Sequence, residues 1–532
     1  MRNLELPGRS AVLAANGMAA TSHPLATITA VSVLQAGGNA MDAAVAACAV
    51  QCVVEPQSTG IGGDCFCLYA PKGGGVIAFN GSGRAPMAAT PEWYAENGIS
   101  VIEQQTPHAV SIPGSIDAWA RLIADHGTRS LGTLLEPAIR YATDGFPVPQ
   151  RCSYDWGLCE DLLANAAHSH KRYLFGGKGP AVGQVVKLPE LAETLRRIAV
   201  NGRDGFYAGP VAEDIVGYLR ELGGLHTMED FAATEGNYVT PIRTRYKGHE
   251  VYECPPNGQG VVALQMLNIL GGMDLNGLEP NSAERLHLEI EASRLAYRDR
   301  DAALADPDQA EVPVTKWLSE AHAAECRALI KPDARMASLP HSPFKAHEDT
   351  VYLTVVDKDR NAVSFINSLF HMFGSGLMAP KSGVMLQNRG QGFSLDPAHP
   401  NCIAPGKRPM HTIIPGMLVK DGRAVMPFGV MGGDYQPCGH VHVLTNMLEW
   451  GMDPQEAIDQ PRVFAIPGDP LERVQCESGV PSNAQSKLAA LGHNLISPRR
   501  PIGGAQAIRI DWEGGALHGA SEPRKDGCAI GY

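Results

Sequence analysis

The stretch TVYLTVVDKDRNAVSFINS, residues 350–368, carries the decisive pattern. Val351, Leu353 and Val355 alternate with Tyr352, Thr354 and Val356, and the polar turn 357–361 leads into a second apolar run, 362–368. Alternation interrupted by turn residues predicts an antiparallel β-hairpin. Pairing Val356 with Ala362 sets Thr350 opposite Ser368, and a one-residue slip would turn every side chain to the other face. Behind Thr350 runs a polar segment, 331–349, with Pro332, Pro340 and Pro343. Such a segment suits an exposed loop and a cut. Cleavage between Asp349 and Thr350 would give one residue both a hydroxyl nucleophile and an α-amine able to take its proton. Taken alone, the pattern more often describes an ordinary core hairpin that begins with a β-favouring threonine.

Further along, Val430-Met431-Gly432-Gly433-Asp434 follows the strand-like run Ala424–Phe428. Amides unobstructed by side chains suit the oxyanion formed when a hydroxyl attacks a carbonyl, although paired glycines also mark simple turns.

The 532-residue chain contains 44% hydrophobic residues, 58 glycines and 39 prolines, a loop-rich globular composition. Its formal net charge of -12 argues against a nucleic-acid surface. Residues 1–28 lack the charged, apolar and small-residue succession of an export signal. The most apolar run, Ala43 to Val54, is too short for a bilayer and reads as a buried helix, so a cytoplasmic, non-membrane protein is expected. Twelve scattered cysteines fit buried reduced thiols. Neither Cys65-Phe66-Cys67 nor His440-Val441-His442 has the second ligand pair that would suggest a metal.

Other elements are readable. Ala26–Gln35 is a short helix stopped by Gly37-Gly38, and Asn39 with Asp42 forms a capping box for the next. Residues 57–63 make a glycine-rich turn before a strand at 65–69, without the lysine and hydroxyl of a phosphate loop. A strand is expected at 75–79, followed by a turn at 80–86. One helical pattern spans about 115–141, and another spans 281–301 with solvated arginines. Helices at about 439–450, 453–458 and 483–491 would cover a sheet.

Taken together, SHPLAT at 22–27, LQAGGNAMDAAVAA at 34–47, VEPQSTGIGG at 54–63, the hairpin, FGSG at 373–376, GKRPMHTIIP at 406–415 and Gly432-Gly433 resemble the gamma-glutamyltransferase family of N-terminal nucleophile hydrolases. The motifs occur in family order across nearly the whole chain. The resemblance implies an α+β fold, a four-layer αββα sandwich. It also implies self-cleavage into a large subunit, 1–349, and a small one, 350–532, that stay associated, with a dimer of such heterodimers as the larger assembly the resemblance allows. Thr350 would be the nucleophile, Ser368 its assisting hydroxyl, Asn361 a holder of the new amine, and Gly432 and Gly433 the oxyanion donors. No cofactor is chemically required.

Four positions depart from the family's glutamyl-recognising residues. Ser82 replaces an arginine that clamps a carboxylate, Gly392 a carboxylate that holds an amino group, Phe370 an asparagine, and His411-Thr412 a serine pair. The combined loss removes the charge logic for an α-amino acid. A smaller acyl group is expected, anionic if Arg389, Arg84 or protonated His411 holds it. These departures resemble the branch containing oxamate amidohydrolases of purine and allantoin nitrogen catabolism. Oxamate hydrolysis to oxalate and ammonia is therefore the working expectation. The alternatives are a glutathione hydrolase or transferase, a cephalosporin-acylase-like enzyme, and a noncatalytic relative.

Overall fold

The computed structural model describes residues 5, 8–340 and 350–532. Asp349 and residues 341–348 of the expected exposed segment lie outside the described residues.

Two seven-stranded antiparallel sheets form the centre. One runs, edge to edge, Cys528–Gly531, Met18–Thr21, Val351–Val356, Ala362–Ser368, Asp64–Ala70, Ile77–Gly81 and Asn237–Val239. The other runs Val12–Ala14, Leu517–Ser521, Gly504–Ile510, Arg423–Met431, Gly416–Lys420, His249–Glu253 and Ile242–Tyr246. Each sheet therefore takes strands from both sides of residue 350.

Side-chain alternation builds the layers. Leu353, Val355, Val363 and Phe365 pack outward with the helix Ala40–Val54. Tyr352, Val356, Ala362 and Ile366 point inward, against Met417, Val419, Met431 and Ile508 of the second sheet. Leu418, Met426, Phe428 and Val430 then face the helices Gly260–Gly271 and Gln436–Trp450 on the far side. This is the αββα sandwich that the family resemblance implies, with each sheet covered on its outer face by helices. Ala40–Val54 is buried at every position, which suits its nearly uniform apolar sequence, and the Asn39–Asp42 capping box is present.

Three expectations need correction. The helical pattern 115–141 is two helices, Ser115–His126 and Leu131–Asp144. The intervening Thr128 and Arg129 amides donate to Asp42 Oδ1, and a side chain on Gly127 would strike the carbonyl of Ile123 at 2.7 Å. The strand expected at 75–79 is displaced to Ile77–Gly81 because its residues pair with Cys65–Tyr69 of the neighbouring strand. The arginines of the long helix, Ala283–Ala303, are not all solvated: Arg285 and Arg300 are buried. Arg285 forms an ion pair with Glu289, and Arg300 pairs with Asp301 and Asp434.

All twelve cysteines are free thiols, eleven of them buried. Among the described residues, no helix is long and apolar enough to cross a membrane.

At one point the sheets approach closely because a glycine faces an aromatic ring. A Cβ on Gly429 would lie 2.4 Å from the Tyr352 ring. Gly429→Ala should therefore destabilise the protein by about 1–3 kcal/mol through overpacking, read as a lower thermal midpoint; an unchanged midpoint would show that the interface has slack there.

Candidate active site

The hairpin register runs from Val351 opposite Asn367 to Val356 opposite Ala362, as the sequence pattern predicts. Thr350 and Ser368 consequently meet at the open end, on the face between the sheets, with Thr350 Oγ1 and Ser368 Oγ 3.2 Å apart. Ser368 Oγ also accepts from the Phe370 amide at 2.9 Å, which orients its own hydrogen away from that bond. Gln436 Nε2 donates to Thr350 Oγ1 at 3.4 Å, while its Oε1 accepts from the Ile414 amide at 3.0 Å. Gln436 was not legible as a site residue; its position directly after the Gly432–Tyr435 turn was the available signal.

The glycine-rich turn 57–63 buttresses this end of the hairpin. Asn367 Nδ2 donates to Thr59 Oγ1 and the Gly60 carbonyl, and a Cβ on Gly63 would lie 2.2 Å from the Ser368 carbonyl oxygen. Close backbone approach explains the glycine.

Gly432 and Gly433 end the strand Arg423–Met431 in left-handed conformations, with φ of 127° and 58°. The chain then tightens through Gly433–Tyr435 into the helix Gln436–Trp450. The positive end of a fifteen-residue helix is thus brought to Thr350 by Gln436, an arrangement that favours developing negative charge. Behind the turn, Gln259 Nε2 donates to the carbonyls of Thr412 and Gly433, and Arg300 holds both Gln259 Oε1 and the Asp434 carboxylate.

A cleft of about 630 Å³ opens beside this centre, walled by Tyr94, Ile102, Phe370, Gln391, Thr412 and Asp434 among others. Thr350 and Arg389 are fully buried behind that wall. Phe370 adopts a φ of 82°, which brings its ring beneath Arg389, with the guanidinium carbon 4.0 Å from the ring centroid. Arg389 Nη1 donates to Thr412 Oγ1 at 2.9 Å. Its Nε and Nη2 meet no acceptor among the described residues. Burial pulls this guanidinium down to about 9, against the pull of Asp64 and Asp434, so it remains charged at neutral pH.

The other expected residues are placed differently. Asn361 sits at the turn, the opposite end of the hairpin from Thr350, where it bonds Asp357 and the Lys72 amide; it does not hold the amine. His411 is buried against Phe66 and bonded through Nε2 to Asp64 Oδ2 at 3.0 Å. Asp64 also accepts from the amides of Gly83 and Gly114 and from Gln387, so His411 belongs to a structural network rather than to the cleft wall. Ser82 Oγ accepts from Asn257 Nδ2 within the same buried region. Arg84 is neutralised by Asp306 and Asp308, each at 3.7 Å. Gly392 lies in the cleft, and a Cβ there would be 2.8 Å from the Met410 carbonyl oxygen. His440 and His442 bind Glu253 and Glu289, one carboxylate each.

Residues 26–532 match the gamma-glutamyltranspeptidase family model. The chain is 38% identical over 528 residues to a glutathione hydrolase-like YwrD proenzyme of Bacillus subtilis, covering 98% of this chain and 99% of that one. It is 35% identical over 535 residues to an oxamate amidohydrolase proenzyme of Klebsiella pneumoniae, covering 98% and 100% respectively. A cephalosporin acylase from Bacillus halodurans superposes with a TM-score of 0.93 at 38% identity, over 100% of this chain and 99% of that structure. With its Thr350–Ser368 pair set in the αββα sandwich of the N-terminal nucleophile hydrolases, the chain belongs to the gamma-glutamyltranspeptidase family.

Proposed function

We propose that the protein cuts itself between Asp349 and Thr350 and then hydrolyses a small amide whose acyl group carries a carboxylate, with oxamate as the substrate that fits best. The observation that carries this reading is Arg389, a buried guanidinium with two nitrogens, Nε and Nη2, that meet no acceptor among the described residues. Leaving charged donors unpaired inside a protein costs several kcal/mol, and a bound carboxylate is the group that offsets it. Thr412 and the Phe370 ring hold the guanidinium in place from two sides.

In the proposed reaction, Thr350 Oγ1 attacks the amide carbon while its α-amine takes the hydroxyl proton. Ser368 polarises the attacking oxygen, and the amides of Gly432 and Gly433 receive the oxyanion. Collapse breaks the C–N bond and releases ammonia, which carries away the transferred proton. Water then attacks the Thr350 oxalyl ester, giving oxalate and the free threonine hydroxyl. Because both sheets interleave strands from either side of the cut, the pieces 1–349 and 350–532 remain one body after cleavage.

A second reading is favoured by the cleft itself. About 630 Å³ exceeds what oxamate alone needs, and a longer carboxylate-bearing acyl group or a larger amine could occupy the remainder. A glutamyl substrate is harder to accommodate. Gly392 offers no carboxylate for its amino group; of the two acidic side chains in the cleft wall, Asp434 is already paired with Arg300, and Asp396 is exposed and accepts from the Ala398 amide.

Thr350→Ala should leave a single uncut chain with no amidase activity, whereas the parent should show two co-eluting pieces, the smaller beginning with threonine. Sequencing the small piece from its N-terminus checks this; a different first residue would refute the assigned nucleophile.

Arg389→Gln should preserve self-cleavage yet raise KM for oxamate at least about 30-fold, consistent with loss of roughly 2 kcal/mol from one charged hydrogen-bonded contact. Ammonia release from oxamate, with glutathione and a glutaryl amide assayed in parallel, reads the outcome. Equal activity in parent and variant would remove Arg389 from substrate binding, and turnover of glutathione alone would overturn the small-acyl reading.

A further inference from the structure

Away from the cleft, three helices bring four unlike side chains to one point. Gln265 comes from Gly260–Gly271, Asp299 from Ala283–Ala303, and His322 and Cys326 from successive turns of Glu320–Leu329. All four residues are buried. One ligand atom each from Asp299, His322 and Cys326 lies within 4.8 Å of the others.

Their hydrogen bonds do not close. His322 Nε2 lies 2.7 Å from Asp299 Oδ2 and 3.0 Å from Gln265 Nε2, which also donates to Asp299 Oδ2. If His322 Nε2 carries a hydrogen for Asp299, it presents that hydrogen to a second donor, the Gln265 amide. If it carries a lone pair for Gln265, that lone pair faces a carboxylate oxygen. Neither neutral tautomer satisfies both contacts. Meanwhile Gln265 Oε1 and His322 Nδ1 have no hydrogen-bond partner among the described residues.

We infer that this cluster is a structural site for a zinc-like divalent cation, bound by Asp299 Oδ2, His322 Nε2, Cys326 Sγ and Gln265 Oε1. A half-turn of the Gln265 amide exchanges its nitrogen for its oxygen and makes all four facing atoms lone-pair donors. The Cys326 Sγ to His322 Nε2 distance is 3.6 Å, close to the roughly 3.5 Å between S and N ligands of a tetrahedral zinc. With Nε2 on the cation, His322 Nδ1 carries the hydrogen and faces the Glu325 carboxylate 3.8 Å away, a common outer partner for a metal-bound imidazole. Binding displaces the Cys326 thiol proton to solvent, with no change of oxidation state. The two anionic ligands offset the cation, and Arg298, bonded to Asp299 Oδ1 and 4.0 Å from Cys326 Sγ, favours the thiolate form of that ligand.

A second buried cluster, His287, Glu291 and His493, lacks this conflict. His287 Nε2 donates to the Lys331 carbonyl, leaving Nδ1 to accept from His493 Nε2, while Glu291 is satisfied by Arg294 and the Met336 amide. The atoms of this cluster that face one another are satisfied without a metal, and the atom left over, His493 Nδ1, meets no partner among the described residues. The proposed cation instead pins the helix Glu320–Leu329 to the two helices beneath it and takes no part in amide chemistry.

The test is metal content of the full, gel-filtered protein expressed with added zinc, together with cobalt titration of protein stripped by a chelator. About one zinc per chain is expected in the parent and in His287→Ala, falling below about 0.2 in Cys326→Ser and His322→Ala. Cobalt should produce thiolate-to-metal absorption in the parent and lose it in Cys326→Ser. Chelation should lower the thermal midpoint of the parent by several degrees and leave Cys326→Ser unmoved. Less than about 0.2 zinc in the parent with no thiolate absorption, or zinc retained in both ligand variants, overturns the assignment; the cobalt spectrum of the parent decides it even if a variant does not fold.

Discussion

Everything in the site hangs on one pairing. The strand Val351–Val356 lies in the middle of its sheet, bonded on one side to Met18–Thr21 and on the other to Ala362–Ser368. A strand held on both edges cannot slip without breaking two ladders, and a slip of one residue would carry Thr350 from the space between the sheets to the helical face. The pairing also leaves residue 350 at the first position before the strand, where a chain can end without opening the sheet. The two requirements of the proposed reaction, a rigid nucleophile and a free N-terminus, would both be met by this one strand.

Charge is distributed around this frame unevenly. Arg300, Asp434 and Asp301 form a buried cluster whose partners compensate one another, and Asp64 collects amide, glutamine and histidine donors. Such groups hold the backbone of the Gly432–Tyr435 turn and of the 80–83 turn. Arg389 is different because its partners, Thr412 Oγ1 and an aromatic face, are both neutral. Asp64 and Asp434 favour its charged form from a distance. The interior stabilises the charge without occupying its donors, which is the condition for recognising an anion from outside.

What could be read from the sequence divides along the range of the interactions involved. The hairpin register depends on alternation within nineteen residues, and the Asn39–Asp42 cap on a spacing of three; both are legible. So is the glycine pair, since its conformations follow from the residue type. Asn361 was misplaced because a role taken from resemblance ignored the hairpin geometry already in hand: a residue in the turn lies several rungs from Thr350. The solvent exposure expected of Arg300 and the free charge expected of Arg84 failed for another reason. Each arginine meets an acid far away in the chain, Asp434 for one and Asp306 for the other. No local pattern encodes those encounters. The break at 127–130 is similar, being imposed by Asp42 from another helix.

The departures at Phe370, Gly392 and His411-Thr412 are linked through the chain around Arg389 rather than separate. Phe370 follows the assisting Ser368 by two residues, and its amide is held by that serine's hydroxyl. Its left-handed backbone turns the ring under Arg389, whose Nη1 is in turn tied to Thr412, next to His411. Gly392 allows the chain after Arg389 to pass close to the Met410 carbonyl, where a side chain would collide. Restoring one polar residue would therefore not rebuild an amino-acid pocket, because its neighbours have repacked around a buried cation. The reacting half of the site can remain fixed by the hairpin while the recognising half changes as a unit, and that separation is how one sandwich supports different amides.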